Sequence, residues 1–574
     1  MIRIGVALVT ATVAASCASI ESESANAASR QVVNIPIVRP TTSDPAPAAE
    51  VMYQVMAGEL AGQYGDLEGS VAHYIQAARL SDDPRVAARA TTIALYAQDD
   101  DAVLTAAKRW VDLTPFNPQA RQTLGLLLMR SVDLDAALPH LEFVVRHTPG
   151  ATSNGFMLIG AALSQEKNSR AALEIMQRLV ARHADEPLAH YALANLALSA
   201  GQDRQAVEAA DKALAIQPVL TEAWVVRARA LLALDKTQQA IATMRQAVEI
   251  VPDDHALRVA YAKMLVQVGR FDMARAEFSK LLKQNPDDPD LLYTLGLLDL
   301  QKQQYADANK HFHRLLKTEQ RTNEARYYLG RVAETLTRLD EAINWYRQVG
   351  AGQYRVDAQA RIASIYAKRG ELEQGLAQLE RARAAESEDS AIVQLYLAEG
   401  QILGEANRHQ AAINLFGRAL NKYPGDSDLL YARALMAEKI GRMDQLERDL
   451  RTILKKDPGN ATALNALGYT LADHNKRIHE ALGYIRRAYA KRPHDPAVID
   501  SMGWVHFRLG NYDRAERYLR RAFKLLPNGE IAGHLSEIMW AQGEKKKARA
   551  VLKEALHKEP QDEYLLKLRA RYAR

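Results

Sequence analysis

Apolar and small residues recur along this chain in two alternating helical rhythms. Ile499, Met502, Gly503 and His506 stand at i, i+3, i+4 and i+7, which places them on one face of a helix. Ala515, Leu519 and Ala522 stripe a second helix in the same way. Pro527 then stops it, because proline lacks a backbone donor and clashes with the preceding turn. The same order returns at a fixed interval. Ala206, Ala240, Ala274, Ala308 and Ala342 are 34 residues apart, and Pro218, Pro252 and Pro286 share that spacing. Walking the pattern both ways places a small residue on the first helix at Gly58, Ala90, Gly125, Gly160, Ala194, Ala228, Ala262, Gly296, Gly330, Ala363, Gly400, Ala434, Gly468, Gly503 and Ser536. That makes fifteen helix–turn–helix units with spacings of 32 to 37 residues.

Turn chemistry agrees with this division. Gly65, Gly201, Gly269, Gly370, Gly441, Gly510 and Gly543 each lie seven residues after an anchor, where the two helices of a unit must turn. Asn117-Pro118, Asp288-Pro289 and Asp495-Pro496 put a capping side chain ahead of a proline at the first helical position. Two irregularities stand out: one extra residue before Ala481, and the 37-residue interval from Ala363 to Gly400, read as a longer loop.

Unit length, order of small residues and period together resemble the tetratricopeptide repeat, over residues 51–563. The resemblance implies an all-α solenoid, a right-handed superhelix whose inner wall is formed by the first helix of each unit. Each unit of such an array touches only its neighbours, so the charged residues 564–574 are expected to serve as a polar cap.

Composition narrows the class further. The 574 residues are 48% hydrophobic and 25% charged with a net charge of +5, which excludes a disordered chain. A single cysteine excludes a disulfide scaffold. At 6% aromatic residues there is little to build a stacking surface for single-stranded nucleic acid. The N-terminus reads as an address: Arg3, then an apolar run from Ile4 to Val13, too short for the roughly twenty residues that span a bilayer. Ala14-Ala15-Ser16-Cys17 follows and resembles a bacterial lipobox, so residues 1–17 are expected to be a lipoprotein signal with Cys17 as the acylated residue. Cleavage after Ala25-Asn26-Ala27, releasing a periplasmic protein, is the alternative. By resemblance to enterobacterial lipoproteins, Ala18 favours sorting to the outer membrane, facing the periplasm. Residues 18–50, with Pro36, Pro40, Pro45 and Pro47, read as a flexible tether.

His479-Glu480 begins like a zinc-helix motif, but Gly483 stands where the second histidine would fall, and His311 and His313 are two apart and cannot face one ligand. No Gly-rich loop ends in Gly-Lys-Ser/Thr. Asp287-Asp288-Pro289-Asp290 and Asp99-Asp100-Asp101 read as helix starts rather than calcium loops. The expectation is a chain that is not an enzyme and takes no cofactor, metal or nucleic acid.

A shaped surface is therefore the expected instrument. By the repeat's register the inner wall should carry Tyr191, Asn195, Arg229, Lys263, Tyr293, Tyr327 and Arg331. Towards the C-terminus it should carry Tyr431, Asn465, Tyr469, Asp500, Trp504, Arg508, Glu537 and Trp540. Tyr, Trp and Arg are the types enriched at binding hot spots; the competing reading is that each ring packs on the next helix. The Lys/Asn arrangement of carboxylate-clamp chaperone repeats is not reproduced. Charge is uneven, with 20 Lys+Arg against 11 Asp+Glu in residues 486–574, a net of +9 that leaves −4 for the rest. Such an end could attract an acidic partner, anionic lipid or polysaccharide.

The segments ALNALGYTLAD, IDSMGWVHFRLGNYDRAERYLRRAF and PNGEIAGHLSEIMWAQGEKKKARAVLKEAL resemble a proteobacterial group of long tetratricopeptide outer-membrane lipoproteins. One of that group binds a periplasmic carboxyl-terminal processing protease. The resemblance implies an adaptor that holds such a protease and presents cell-wall hydrolases to it. A scaffold for exopolysaccharide or surface-export machinery is the alternative.

Overall fold

The computed structural model describes residues 45–148 and 152–573. Cys17, the cleavage alternative and residues 18–44 of the expected tether lie outside them. Among the described residues there are 31 helices and no strand. They alternate as first and second helices of fifteen hairpins, and Glu563–Ala573 follows as a last, single helix. Helix Pro45–Gln63 already begins within the stretch read as a tether.

Two compact units divide the chain, one ending at Thr318 and one beginning at Glu319. Eight hairpins build the first, around Leu141, Phe156, Ile175 and Met176. Seven hairpins and the last helix build the second, around Phe416, Leu467, Ile485 and Leu519. In both, a second helix packs between its own first helix and that of the next unit, and successive first helices also touch, as Ala461–Asp473 does Pro496–Arg508. No hairpin could bury both its faces alone, so stacking creates the core. Each buried Leu or Phe contributes about 2 kcal/mol before entropy is counted.

Why the anchor must be small is explicit in the packing. A Cβ on Gly296 would lie 2.5 Å from the Phe312 ring, one on Gly330 2.5 Å from Tyr346, and one on Gly503 2.6 Å from Leu519 Cγ. Gly400 faces Phe416 still more tightly. The large partner stands sixteen residues after each of these anchors, so the missing side chain on one helix is filled by the bulk of the other. At two of the alanine anchors, Ala90 and Ala194, that partner is small as well, Ala106 and Ala210, whereas Ala262 and Ala434 keep a large one, Phe278 and Leu450.

The turn glycines all adopt positive φ, from 70° at Gly201 to 83° at Gly543. Six units without glycine keep the left-handed turn with Val132, Asp235, Gln303, Thr337, Asn407 or Asn475 in its place, and the Ala90 unit turns one residue later, at Gln98. The three Asx-Pro caps also form: the side chains of Asn117, Asp288 and Asp495 accept backbone N–H groups of the first turn. Asp99 caps a helix in the same way. The long interval before Gly400 differs from its expected form. Its extra residues extend the helix Asp389–Glu405 to 17 residues, where the neighbouring first helix Ser427–Lys439 has 13, and the loop does not lengthen. A helix absorbs the extra residues because each added residue gains an i to i−4 bond, which a loop residue would leave to water. The single insertion before Ala481 is taken up by Arg477, which enters its helix left-handed at φ 47°.

Candidate protein-binding groove

Four of the residues expected on the inner wall do converge. Tyr431, Asn465, Tyr469 and Asp500 line one cavity of about 330 Å³ in the second unit. Three first helices supply them, Ser427–Lys439, Ala461–Asp473 and Pro496–Arg508, and the start of a fourth, Gly529–Ala541, closes one side. Each contributes through residues three before or one after its anchor, four apart and so on one side of the helix. Glu438 and Glu530 complete the wall, and neither Lys nor Arg lines it.

The electrostatics are acidic and partly desolvated. Burial raises the Glu438 carboxyl above its usual range, against the lowering effect of Lys439 and a hydrogen bond from Thr470. Burial, followed by Glu530, Asp473 and Asp500, holds the Tyr469 hydroxyl protonated far above its ordinary range. That hydroxyl donates to Glu530 Oε1 at 3.3 Å and lies 3.4 Å from His534 Nε2. Behind it, His534 Nδ1 is 3.0 Å from each carboxylate oxygen of Asp500. Burial would lower the imidazole, but Asp500 prevails and raises it. Asn465 Oδ1 is buried and has no hydrogen-bond partner. An unpaired buried acceptor costs about 1–3 kcal/mol, so this groove has an unfilled demand for a donor.

A tyrosine-walled groove on stacked hairpins can then be set beside known proteins. A family model described as the cytochrome c-type biogenesis protein H TPR domain matches residues 214–327. Models described as tetratricopeptide repeat match residues 156–221, 397–445, 447–496 and 507–572. TPR repeat-containing protein PA4667 of Pseudomonas aeruginosa is 39% identical over 490 residues, 85% of this chain and 82% of that protein. The chain belongs to the tetratricopeptide repeat proteins. A TPR protein of Thermus thermophilus is 28% identical over 31% of this chain and 96% of its own, with a TM-score of 0.29. Yeast Tom70 is 17% identical over 71% and 91%, with a TM-score of 0.36. Tetratricopeptide arrays generally serve as non-catalytic scaffolds that bind other proteins.

Other positions expected on the inner wall of this tetratricopeptide protein behave differently. Asn195 and Arg229 are exposed on it, with Tyr191, Lys263 and Arg331 half-buried. Tyr293 and Tyr327 are buried, which corrects the expectation that they present rings to a partner. Tyr327 stacks on Tyr354 at 4.6 Å, and its hydroxyl donates to Asp357 of the next unit. Trp504 is buried as well: its ring stacks on His534 at 4.2 Å, and its indole N–H donates to Asp473 at 3.2 Å. Arg508 lies over the same ring, 5.9 Å from its centre. Asp500, though at the cavity wall, is 5% exposed and committed to His534. Glu537 and Trp540 are covered by the last helix: Arg571 pairs with Glu537 at 2.7 Å, Tyr564 donates to it at 3.0 Å, and Trp540 stacks on Tyr572 at 4.0 Å. That helix stands where a sixteenth first helix would, so it takes the contacts a partner was expected to make.

Glu438 and Glu530 were not singled out from sequence; Glu438 stands four residues after its anchor, as Trp540 does, whereas Glu530 stands six before its own, where no candidate was named. For Glu438 that shared register was the available signal. His534 faces Asp500 across 34 residues, a pairing only the stacked structure reveals. Among the described residues no three of His, Cys, Asp or Glu come together as metal ligands, and no helix is long and apolar enough to cross a membrane.

Proposed function

We propose that this chain is an envelope adaptor, lipid-anchored through Cys17 in the outer membrane and facing the periplasm. It assembles or activates a carboxyl-terminal processing protease there and presents cell-wall hydrolases for degradation. The lipobox-like Ala14-Ala15-Ser16-Cys17 supports the anchor, and the C-terminal segments' resemblance to protease-binding lipoproteins supports the partner. The observation that carries the binding role is the groove around Tyr431, Asn465 and Tyr469, with its unpartnered Asn465 Oδ1. An extended backbone supplies the N–H that this oxygen lacks. The wall's Glu438 and Glu530 suit basic or amide-rich segments and repel acidic polymers.

Purified full-length chain, mixed with the mature carboxyl-terminal processing protease of the same cell, is the direct test. The complex should form by analytical ultracentrifugation and raise the rate at which a cell-wall hydrolase is degraded. Tyr431→Ala combined with Tyr469→Ala should weaken binding of the presented substrate tenfold or more, since aromatic hot spots are worth about 2 kcal/mol or above. Absence of any complex, with the chain folded by circular dichroism, refutes the protease assignment.

A further inference from the structure

On the opposite side of the same hairpins lies a second cavity, of about 440 Å³. The second helices Ile478–Lys491 and Tyr512–Leu525 form its sides, and the first helix Pro496–Arg508 forms its floor. Arg486, Arg514, Arg517 and Arg521 line it, and no carboxylate does. Arg521 is engaged, donating to the Tyr489 hydroxyl at 2.6 Å and to the Pro493 carbonyl at 2.8 Å. The side chains of Arg486, Arg514 and Arg517 have no ion pair or hydrogen bond among the described residues. At the floor, His506 is 4% exposed, its ring parallel to Tyr518, and its Nδ1 is buried without a partner.

Comparison with the preceding junction shows what is missing. Between helices Met443–Lys456 and Ile478–Lys491, Arg451 donates to Glu480 Oε1 at 2.6 Å and to the Tyr484 hydroxyl at 3.1 Å. Arg451 is the ninth residue of its helix, Glu480 the third of the next and Tyr484 the seventh. One unit on, the ninth residue is Arg486, the third is Arg514 and the seventh is Tyr518. The stacking is retained, but an arginine stands where the carboxylate stood. A bridging anion is therefore replaced by a second cation facing the same space.

We propose that this cleft binds a phosphate group, as a phosphate monoester or diphosphate, in the place that Glu480 fills one junction earlier. Three free guanidinium forks demand more than the one charge and two oxygens of a carboxylate, whereas a phosphate presents two charges and three or more acceptors. His506 supplies a donor from beneath. Burial first, and then Arg514 and Arg486, lower its tendency to protonate, so the imidazole enters neutral and donates one N–H. The inference does not depend on the identity of the protease partner.

Calorimetric titration of the full chain with inorganic pyrophosphate tests it, with acetate as the carboxylate comparator. Saturable one-site binding is expected, at least tenfold tighter than acetate. Arg486→Gln should weaken it tenfold or more. Arg514→Glu should abolish it by restoring the Arg451–Glu480 type of pair, and because that substitution rebuilds a native junction it guards against loss through misfolding. Lys546→Gln, an exposed cation on another helix, should change binding less than twofold. Equal losses in Lys546→Gln and Arg486→Gln, or no saturable binding, would overturn the proposal. Co-sedimentation with phosphatidic acid vesicles against phosphatidylcholine separates the sources. Binding lost in Arg514→Glu assigns a lipid headgroup, and pyrophosphate binding without vesicle binding assigns a soluble phosphate ester.

Discussion

His534 and His506 sit on first helices of neighbouring units in the second half of the chain, both nearly solvent-free, at 2% and 4% exposure. Their surroundings differ in sign. His534 faces the acidic inner groove and is held by Asp500, with Glu530 and Glu537 nearby, and its affinity for a proton rises despite burial. His506 lies under the outer cleft with Arg486 and Arg514, and burial and those cations both lower it. Burial lowers both rings: at His506 it is the largest cause and the arginines add to it, whereas at His534 Asp500 of the preceding unit overrides it. A stacked array can therefore give opposite polarity to two cavities that share two hairpins, Ala461–Asp473 with Ile478–Lys491 and Pro496–Arg508 with Tyr512–Leu525. The net +9 of residues 486–574 conceals this, because it sums an outer surface rich in arginine with an inner one that has none in its cavity.

The strongest way to break this contrast is Asp500→Ala. It removes the one carboxylate in contact with the buried His534 ring and should cost about 3 kcal/mol, the size expected when a buried pair loses one member. Arg514→Gln, on the outer side, should stay within about 0.5 kcal/mol because the side chain is exposed and unpaired. Urea unfolding followed by hydrogen exchange in the helices Pro496–Arg508 and Gly529–Ala541 reads both. Equal costs would mean that the inner pair is no more committed than the outer cation.

A finer test uses pH. His534 has a folded pKa raised above 6.5, so its contribution to stability is full below 6.5 and is lost as pH rises through the folded value. His506 has a folded pKa below 6.5, so its contribution is present above 6.5 and is lost as pH falls towards the folded value. Stability measured from pH 5 to 8 should therefore change slope in opposite directions in His534→Gln and His506→Gln. The two ring titrations, followed by NMR, should lie on either side of the ordinary histidine value.

The 34-residue rhythm, the left-handed Gly510 and the caps at Asn117 and Asp495 follow from local chemistry, and all were legible. So was the convergence of Tyr431, Asn465 and Tyr469, because register fixes the direction in which a helical side chain leaves its helix. What register leaves open is the cover supplied by the next unit. Tyr327 and Trp504 point as expected, yet Tyr354 and His534 lie over them. The one-turn extension of Asp389–Glu405 was read as a loop for a related reason, since an insertion's length says nothing about which element absorbs it. The Arg486–Arg514 confrontation needed the Arg451–Glu480 pair as its reference, a comparison between units rather than within one.

The smallest effect sharpens the comparison of the two junctions through their turns. Asn475 and Gly510 both stand seven residues after an anchor, at φ 53° and 78°, and each orients the second helix that forms one side of the outer cleft. A Cβ on Gly510 would meet nothing within 4 Å, so Gly510→Ala carries no steric penalty beyond its own backbone. It should cost about 1 kcal/mol, the price of a left-handed alanine. Asn475→Gly should change stability by less than about 0.5 kcal/mol, since asparagine already tolerates that region and glycine adds unfolded-state entropy. Thermal melting of both variants, with pyrophosphate titration of Gly510→Ala, separates the two roles of the turn. A loss of stability with phosphate affinity intact means that the turn only holds the hairpin together. A matching loss of affinity means that the spacing of Arg486 and Arg514 is set there.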